Sequence, residues 1–213
     1  MIETTIFLIR HAKKSINTKY LFAKDEKSKD LLRPLSVQGI LQAQKIADLD
    51  YLKSVDAIFA SEFSRAIMTA IPLSEITERS IQITNAFNER LRRSSQQFEI
   101  PSDFRMRQMY NIDYKLPDGE SRRDVCSRFN NGIFQILKNY SGKQIAIFTH
   151  KTAITMFLMQ YCEYKIKQDV YLIHKEHMIF EEKWDGSPEI FKVVFHDQQV
   201  VNIEKMNNLC FDS

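Results

Sequence analysis

Short apolar runs alternate with longer helical patterns over most of this chain. The runs at residues 5–9, 56–60, 80–86 and 144–148 are the length of buried strands. The segments between and after them place apolar side chains at helical spacing, which predicts helices over residues 36–51, 64–78, 120–140 and 153–162. Strands that alternate with helices predict a mainly parallel sheet covered on both faces. We therefore expect an α/β fold with three layers, helix, sheet and helix.

Two polar segments and the C-terminal part of the chain depart from this alternation. Residues 12–35 and 90–119 are polar and irregular, and we predict that they are loop excursions over the active site. Residues 178–184, 190–195 and 199–203 predict antiparallel strands near the C-terminus. With 213 residues and no composition shift that marks a boundary, we expect one domain over residues 1–213.

Composition excludes several classes of protein. The net charge of +3 at pH 7 is too small for a dedicated nucleic-acid binder, and we expect no nucleic-acid partner. No apolar stretch approaches the length of a membrane span, and the first residues lack a signal-peptide pattern, so we expect no membrane partner and a cytoplasmic protein. The three cysteines are far apart and predict neither a zinc site nor a disulfide framework.

Basic residues follow three of the predicted strands. Arg10 and His11 come directly after the first strand, Arg65 lies just beyond the second, and His150 follows a later one. Ligands of open α/β sheets bind outside the carboxyl ends of the strands, where these side chains would converge. No acidic residue adjoins either histidine to form a Ser-His-Asp relay, and no HExxH pattern predicts a metal. Arginine matches phosphate oxygens and neutral imidazole is a nucleophile toward phosphorus, so the set predicts a phosphate site.

The same residues lie in segments that resemble the histidine phosphatase superfamily, also called the phosphoglycerate mutase-like family. Residues 8–12, LIRHA, resemble its L-x-R-H-G signature, and residues 61–70, SEFSRAIMTA, match its S-x-x-x-R-A-x-x-T-A segment. Further matches follow in the family's order at residues 35–43 (LSVQGILQA), 87–89 (FNE), 117–121 (PDGES) and 149–150 (TH).

The resemblance implies a phosphoglycerate mutase-like fold and a role for each matching residue. His11 would accept the phosphoryl group and form a phosphohistidine, and Glu89 would act as the proton donor and acceptor. The phosphoryl oxygens would be held by Arg10, Arg65, His150 and, through a hydrogen bond, Asn17. Because these side chains supply the positive charge, we expect neither a metal nor a cofactor.

The acidic residue is the least determined of these positions, since Glu99, Asp118 and Glu120 are rivals to Glu89. The chain also departs from the family pattern near the two histidines, where Ala12 replaces the usual glycine and Lys13, Lys14 and Lys151 add positive charge. We include Lys13 and Lys151 in the predicted phosphate site, because they favour a strongly anionic substrate. A lysine rather than an acidic residue after His150 favours the mutase and small-phosphatase branch of the family.

We expect a phosphomonoester hydrolase that acts on a small phosphorylated molecule without a metal. The segment after Glu89 lacks the glycine and tryptophan typical of mutases, which favours a phosphatase. Two alternatives stay open: a phosphoglycerate mutase-type phosphotransferase, and a non-catalytic phosphate-binding regulatory domain. The sequence does not predict the oligomeric state.

Overall fold

A computed structural model describes residues 1–17, 25–92, 99–167, 170–181 and 188–206. Nine strands are present in these residues: β1 Glu3–Arg10, β2 Ala57–Ala60, β3 Ile81–Ile83, β4 Gln144–Thr149, β5 Glu163–Ile166, β6 Val170–His174, β7 His177–Glu181, β8 Ile190–His196 and β9 Gln199–Lys205. They are joined by seven α-helices: α1 Glu26–Leu32, α2 Val37–Ala47, α3 Asp50–Lys53, α4 Ser64–Thr77, α5 Phe104–Tyr110, α6 Arg122–Asn139 and α7 Lys151–Leu158. A short 3-10 helix spans Asn85–Phe87.

The central sheet has six strands in the order β3-β2-β4-β1-β8-β9. The first four of these strands are parallel, whereas β8 pairs antiparallel with both β1 and β9. In the pairing of β1 with β4, Arg10 lies opposite Thr149. This arrangement confirms the predicted α/β fold with a mainly parallel sheet and antiparallel strands near the C-terminus.

Alternating side chains of β1 pack on opposite faces of the sheet, as strand geometry requires. Ile6 and Leu8 join an apolar cluster with α6 and α7, whereas Phe7 and Ile9 join a second cluster with α2 and α4. Both faces of the strand are therefore buried, which explains why its sequence is an uninterrupted apolar run.

The helices begin at well-defined caps. The Ser36 side chain accepts a hydrogen bond from the backbone N–H of Gly39, which confirms the predicted start of α2. Ser121 and Asp124 form a reciprocal capping box at the start of α6, two residues after the predicted beginning of that helix at residue 120. The helix predicted over residues 36–51 is interrupted after Ala47 and continues as the separate helix α3.

Parts of the irregular segments were predicted wrongly. The polar segment 12–35 contains α1 and the segment 90–119 contains α5, so neither is a loop throughout. A separate antiparallel sheet of β5, β6 and β7 was also missed in part, since only β7 was predicted. The predicted extension of that strand beyond Glu181 lies outside the described residues. Within the described part of the chain, no helix is long and apolar enough to cross a membrane.

Gly39 allows α2 to lie directly against the loop that follows β1. A Cβ atom at this position would lie 2.1 Å from the backbone oxygen of Lys13, a main-chain atom that cannot rotate away. We predict that Gly39→Ala lowers the free energy of unfolding by roughly 1 to 3 kcal/mol, although alanine normally stabilises a helix. Urea unfolding measures this change. Val37→Ala, at an exposed position of the same helix, is the control, and equal stability of the Gly39→Ala and wild-type proteins would contradict the contact.

Candidate active site

The two predicted histidines meet at the carboxyl edge of the central sheet. His11 follows the last residue of β1, and His150 follows the last residue of β4 and precedes α7. Because β1 and β4 are hydrogen-bonded neighbours, the two imidazole rings come within 5.1 Å of each other, measured between centroids. This pairing of β1 with β4 brings the two histidines to the same edge of the sheet.

The hydrogen bonds of His11 determine which ring nitrogen carries the proton. Nδ1 lies 2.7 Å from the backbone oxygen of Ala12, which can only accept, so Nδ1 donates. Nε2 accepts a hydrogen bond from Nε of Arg65 at 3.2 Å and therefore has a lone pair. This lone pair faces the Arg65 guanidinium, on the side where an anion bound by the arginine would lie. Nε2 is therefore the ring nitrogen that can attack such an anion.

Arg65 lies in the first turn of α4 and is almost completely buried, with 2% of its surface exposed. Its guanidinium stacks on the Phe63 ring at 4.4 Å from the centroid. The terminal nitrogens donate to Asp30, NH1 to the backbone oxygen at 2.8 Å and NH2 to Oδ2 at 3.3 Å. A buried guanidinium needs such an anionic partner, and α1 supplies it.

His150 is fully buried between polar and aromatic neighbours. Its Nε2 lies 2.7 Å from the hydroxyl oxygen of Ser61, and the Phe63 ring packs against it with 4.8 Å between centroids. Its Nδ1 is buried without a hydrogen-bond partner among the described residues. Since buried polar atoms are normally paired, this nitrogen is a candidate contact for a ligand.

Both imidazoles are held neutral. Burial, and then the charge of Arg65, lowers the pKa of His11 well below its ordinary value, and Arg10 and Lys14 lower it further against the opposing effect of the Ala12 hydrogen bond. Burial followed by the charge of Arg65 also lowers the pKa of His150. The neutral form is the one that can attack phosphorus.

Glu89 lies on the segment after the 3-10 helix and is partly buried. Burial lowers the pKa values of both Arg65 and Lys14, and the charge of Glu89 opposes this lowering in each, which places Glu89 in electrostatic contact with the site. Its Oε1 accepts a hydrogen bond from the backbone N–H of Arg90 at 2.8 Å.

The rival carboxylates lie in different surroundings. Glu120 pairs with Arg128 through Oε1 at 2.7 Å and accepts the backbone N–H of Leu91 through Oε2 at 2.8 Å, so it fixes the chain just beyond Glu89. Glu99 and Asp118 are exposed.

Arg10 forms an ion pair on the other side of the site. Its NH1 lies 3.5 Å from Oε2 of Glu189, and the other carboxylate oxygen lies 3.0 Å from Nζ of Lys205. The backbone N–H of Arg10 also donates to the backbone oxygen of Glu189 at 2.8 Å. Glu189, directly before β8, and Lys205, at the end of β9, therefore hold the Arg10 side chain in position.

The remaining predicted residues are distributed differently. Lys151 is buried with its ammonium 5.7 Å from the centroid of Phe180, and Lys13 is exposed and donates to Oε1 of Gln38 at 2.7 Å. Asn17 is exposed and precedes residues outside the described part, so its place in the site stays a prediction.

Three contributors were not predicted as site residues: Asp30, Ser61 and Glu189. Ser61 lies in a segment that matches a family motif, so the sequence contained a signal for it. It directly follows β2, and the pairing of β2 with β4 places it beside His150. Asp30 and Glu189 had no such signal. In the ranges that the structure describes, no three His, Cys, Asp or Glu side chains are grouped so that they could hold a metal ion.

The family model of the histidine phosphatase superfamily (branch 1) matches residues 6–189. The chain belongs to the histidine phosphatase superfamily. This match includes every predicted motif and confirms the family resemblance.

Solved structures of this superfamily share the fold over almost the whole chain. A mycobacterial glucosyl-3-phosphoglycerate phosphatase superposes with a TM-score of 0.68 at 16% identity, covering 95% of this chain and 97% of its own. A putative alpha-ribazole-5'-P phosphatase from Escherichia coli gives 0.65 at 17% identity, with 96% of each chain covered. Phosphoglycerate mutase from Bacillus anthracis gives 0.65 at 16% identity, with 96% of this chain and 93% of its own covered. No curated protein matches the chain.

Neutral burial of His150 predicts a loss of stability in acid. The unfolded chain binds a proton near the ordinary histidine pKa of 6.5 while the folded protein does not, so the stability present above that pH is lost as the pH falls through it. For a histidine that stays neutral when folded, the loss is about 1 kcal/mol between about pH 7.5 and about pH 5.5. Urea unfolding of the wild type and His150→Gln at both pH values measures it. We expect the variant to lose less stability than the wild type by about that amount, and equal losses would contradict neutral burial.

Proposed function

We propose that this superfamily member is a phosphomonoester hydrolase that transfers the phosphoryl group to His11 and then to water. The observation that carries the proposal is the hydrogen-bonded state of His11, with Nδ1 donating to Ala12 and the Nε2 lone pair facing Arg65. A residue in this state can attack a phosphate ester held by the arginine once Nε of Arg65 donates to a phosphoryl oxygen instead of to Nε2.

In the first step, Nε2 of His11 forms a bond to phosphorus while the bond from phosphorus to the ester oxygen breaks. The imidazole becomes positively charged as it is phosphorylated. The backbone oxygen of Ala12 stabilises this charge through the hydrogen bond from Nδ1, and it holds the ring in position throughout.

Negative charge on the phosphoryl oxygens is stabilised by Arg10, Arg65 and His150. Both guanidinium groups are buried and held by carboxylate partners, so their charges are in place before negative charge develops on the phosphoryl oxygens. Nδ1 of His150, buried without a partner in the described residues, can donate to a phosphoryl oxygen while Nε2 accepts from Ser61. These protein groups supply the charge stabilisation for which other phosphoryl-transfer enzymes use metals.

Glu89 serves as the proton-transfer group. It donates a proton to the departing ester oxygen and then takes one from the water that attacks the phosphohistidine, which breaks the bond from phosphorus to Nε2 and releases inorganic phosphate. Its electrostatic contact with Arg65 supports this role, and the fixed positions of Arg90 and Leu91 hold its segment in place.

The substrate class is a small phosphorylated molecule. The glucosyl-3-phosphoglycerate and alpha-ribazole-phosphate phosphatases share the fold, which supports hydrolysis of a small phosphate ester. Lys14 lies close enough to lower the pKa of His11, and Lys13, the residue before it, is exposed, so the entrance favours anions. Asn17 remains part of the proposed phosphate site. Lys151, which directly follows His150, contributes positive charge to the same site.

The hydrolase proposal is tested by phosphate release from p-nitrophenyl phosphate and from an alkyl phosphate such as glycerol 2-phosphate, both with EDTA present. We expect turnover by the wild type and none by His11→Ala. Glu89→Gln should lose about 10²- to 10⁴-fold in kcat on the alkyl phosphate, and much less on p-nitrophenyl phosphate, whose leaving group needs little protonation.

Glu99→Gln and Asp118→Asn are the matched controls, because each neutralises an exposed rival carboxylate. We expect both to retain activity. Equal losses on the two substrates for Glu89→Gln, or loss on the alkyl phosphate in a control variant, would contradict the role of Glu89. Turnover by His11→Ala, or activity lost to EDTA, would refute the proposed reaction.

A phosphotransferase is the second candidate, favoured by the similarity to phosphoglycerate mutase. Such an enzyme would return the phosphoryl group from His11 to a second hydroxyl of the substrate rather than to water. Phosphorus NMR of a reaction with 3-phosphoglycerate distinguishes the two. We expect inorganic phosphate as the only new species, whereas accumulation of 2-phosphoglycerate would establish the phosphotransferase.

A further inference from the structure

Asp30 is the carboxylate that pairs with Arg65. It lies in α1, in the polar segment between β1 and α2, and 38% of its side chain is exposed. Its Oδ2 lies 3.3 Å from NH2 of Arg65, and its Oδ1 lies 3.7 Å from both Nζ of Lys14 and Nε of Arg33. One carboxylate is thus shared by three positive charges at the proposed phosphate site.

Three of the five N–H donors of Arg65 contact His11 and Asp30. Nε faces Nε2 of His11, NH2 faces the Asp30 carboxylate, and NH1 faces the Asp30 backbone oxygen. When the lone pair of His11 attacks phosphorus, it no longer accepts from Nε, and this donor turns to a phosphoryl oxygen. A guanidinium binds an oxyanion through two parallel donors, and the second donor on the same edge is NH2. NH2 carries two N–H groups, and the Asp30 carboxylate already lies against this nitrogen, so a phosphoryl oxygen on NH2 would bring a second anion next to the first.

We propose that the Asp30 carboxylate is an internal competitor of the substrate: a phosphoryl group that binds through Nε and NH2 brings a second anion onto NH2, and the repulsion between the two anions displaces the carboxylate from this nitrogen. This inference rests on the proposed function, because it assigns Arg65 to the phosphoryl group. It makes Asp30 a residue that sets the affinity of the site for anions.

The displacement requires only a side-chain movement. NH1 of Arg65 keeps its 2.8 Å hydrogen bond to the backbone oxygen of Asp30, so α1 stays in place. Oδ1 keeps Lys14 and Arg33 as partners when Oδ2 leaves. The carboxylate is therefore exchanged for the phosphoryl group without leaving an unpaired charge in the interior.

The exchange also favours substrates whose phosphoryl group carries two negative charges. A phosphate monoester dianion interacts more strongly with Arg65 than a carboxylate does, because it carries two charges and more acceptor oxygens. A monoanion such as a phosphodiester has less to gain from the exchange. Asp30 thereby contributes to selectivity for monoesters over diesters.

The test measures the affinity of inorganic phosphate by isothermal titration calorimetry, which needs no turnover. We expect Asp30→Asn and Asp30→Ala to bind phosphate roughly three- to tenfold more tightly than the wild type at low ionic strength. The alanine variant keeps the backbone contact and has the higher helix propensity, so it preserves α1 if asparagine does not. Thermal unfolding of each variant checks that it is folded.

Two control variants separate competition from a general change of charge. Glu62→Gln neutralises a carboxylate beside Phe63 that hydrogen-bonds to Asn88, and Asp50→Asn neutralises one that pairs with Lys53 in α3. We expect Glu62→Gln to tighten phosphate binding less than Asp30→Asn, and Asp50→Asn to leave it unchanged.

Several results would overturn the proposal. Equal tightening by Asp30→Asn and Glu62→Gln would mean that Asp30 acts only through its charge. Unchanged or weaker binding in both Asp30 variants would mean that the carboxylate orients Arg65 rather than competes for it. Tighter binding by the Asp30 variants in a protein that hydrolyses no phosphate ester would support the competition and refute the hydrolase.

Discussion

The parallel pairing of β1 with β4 is the constraint on which the site depends. It places Arg10 opposite Thr149, so the next residue on each strand is a histidine and both imidazoles leave the sheet at the same edge. Strand spacing, rather than a flexible loop, determines the 5.1 Å between the rings. The apolar side chains of β1 pack on both faces of the sheet, and this burial holds the strand rigidly behind the site.

Buried positive charge is the second determinant. Arg10 and Arg65 are both removed from water, and each has a carboxylate partner from a distant part of the chain, Glu189 for the first and Asp30 for the second. Each pair reduces the cost of burying a guanidinium before any ligand binds. Burial, and then the charge of Arg65, lowers the pKa of both imidazoles, and Arg10 lowers the pKa of His11 further.

The parts that could be predicted from the sequence are those set by local pattern. Apolar runs bounded by helices predicted the order of the parallel strands along the chain, and motifs at strand ends predicted His11, Arg65 and His150. Asp30 and Glu189 could not be predicted, because each acts through a contact with a residue far away in the sequence and lies in a segment without periodicity. The helices α1 and α5 were missed because they are short and lie in polar segments. Helices of about two turns depend on such tertiary contacts more than on their own composition.

The two imidazoles are held at the ends of paired strands, whereas the polar segments around them lie outside the central sheet. This difference affects which parts of the sequence can change. The polar stretches between β1 and α2 and between the 3-10 helix and α6 can accept substitutions without changing the spacing of the two rings. Substitutions in these stretches would change the surroundings of the two imidazoles while the distance between the rings stays the same. The mycobacterial and Escherichia coli phosphatases retain this architecture although only 16% and 17% of their residues are identical to this chain. In this protein, the segment after β1 places the Asp30 carboxylate against the Arg65 guanidinium, so a change in that segment reaches the charge balance beside the two imidazoles through one ion pair.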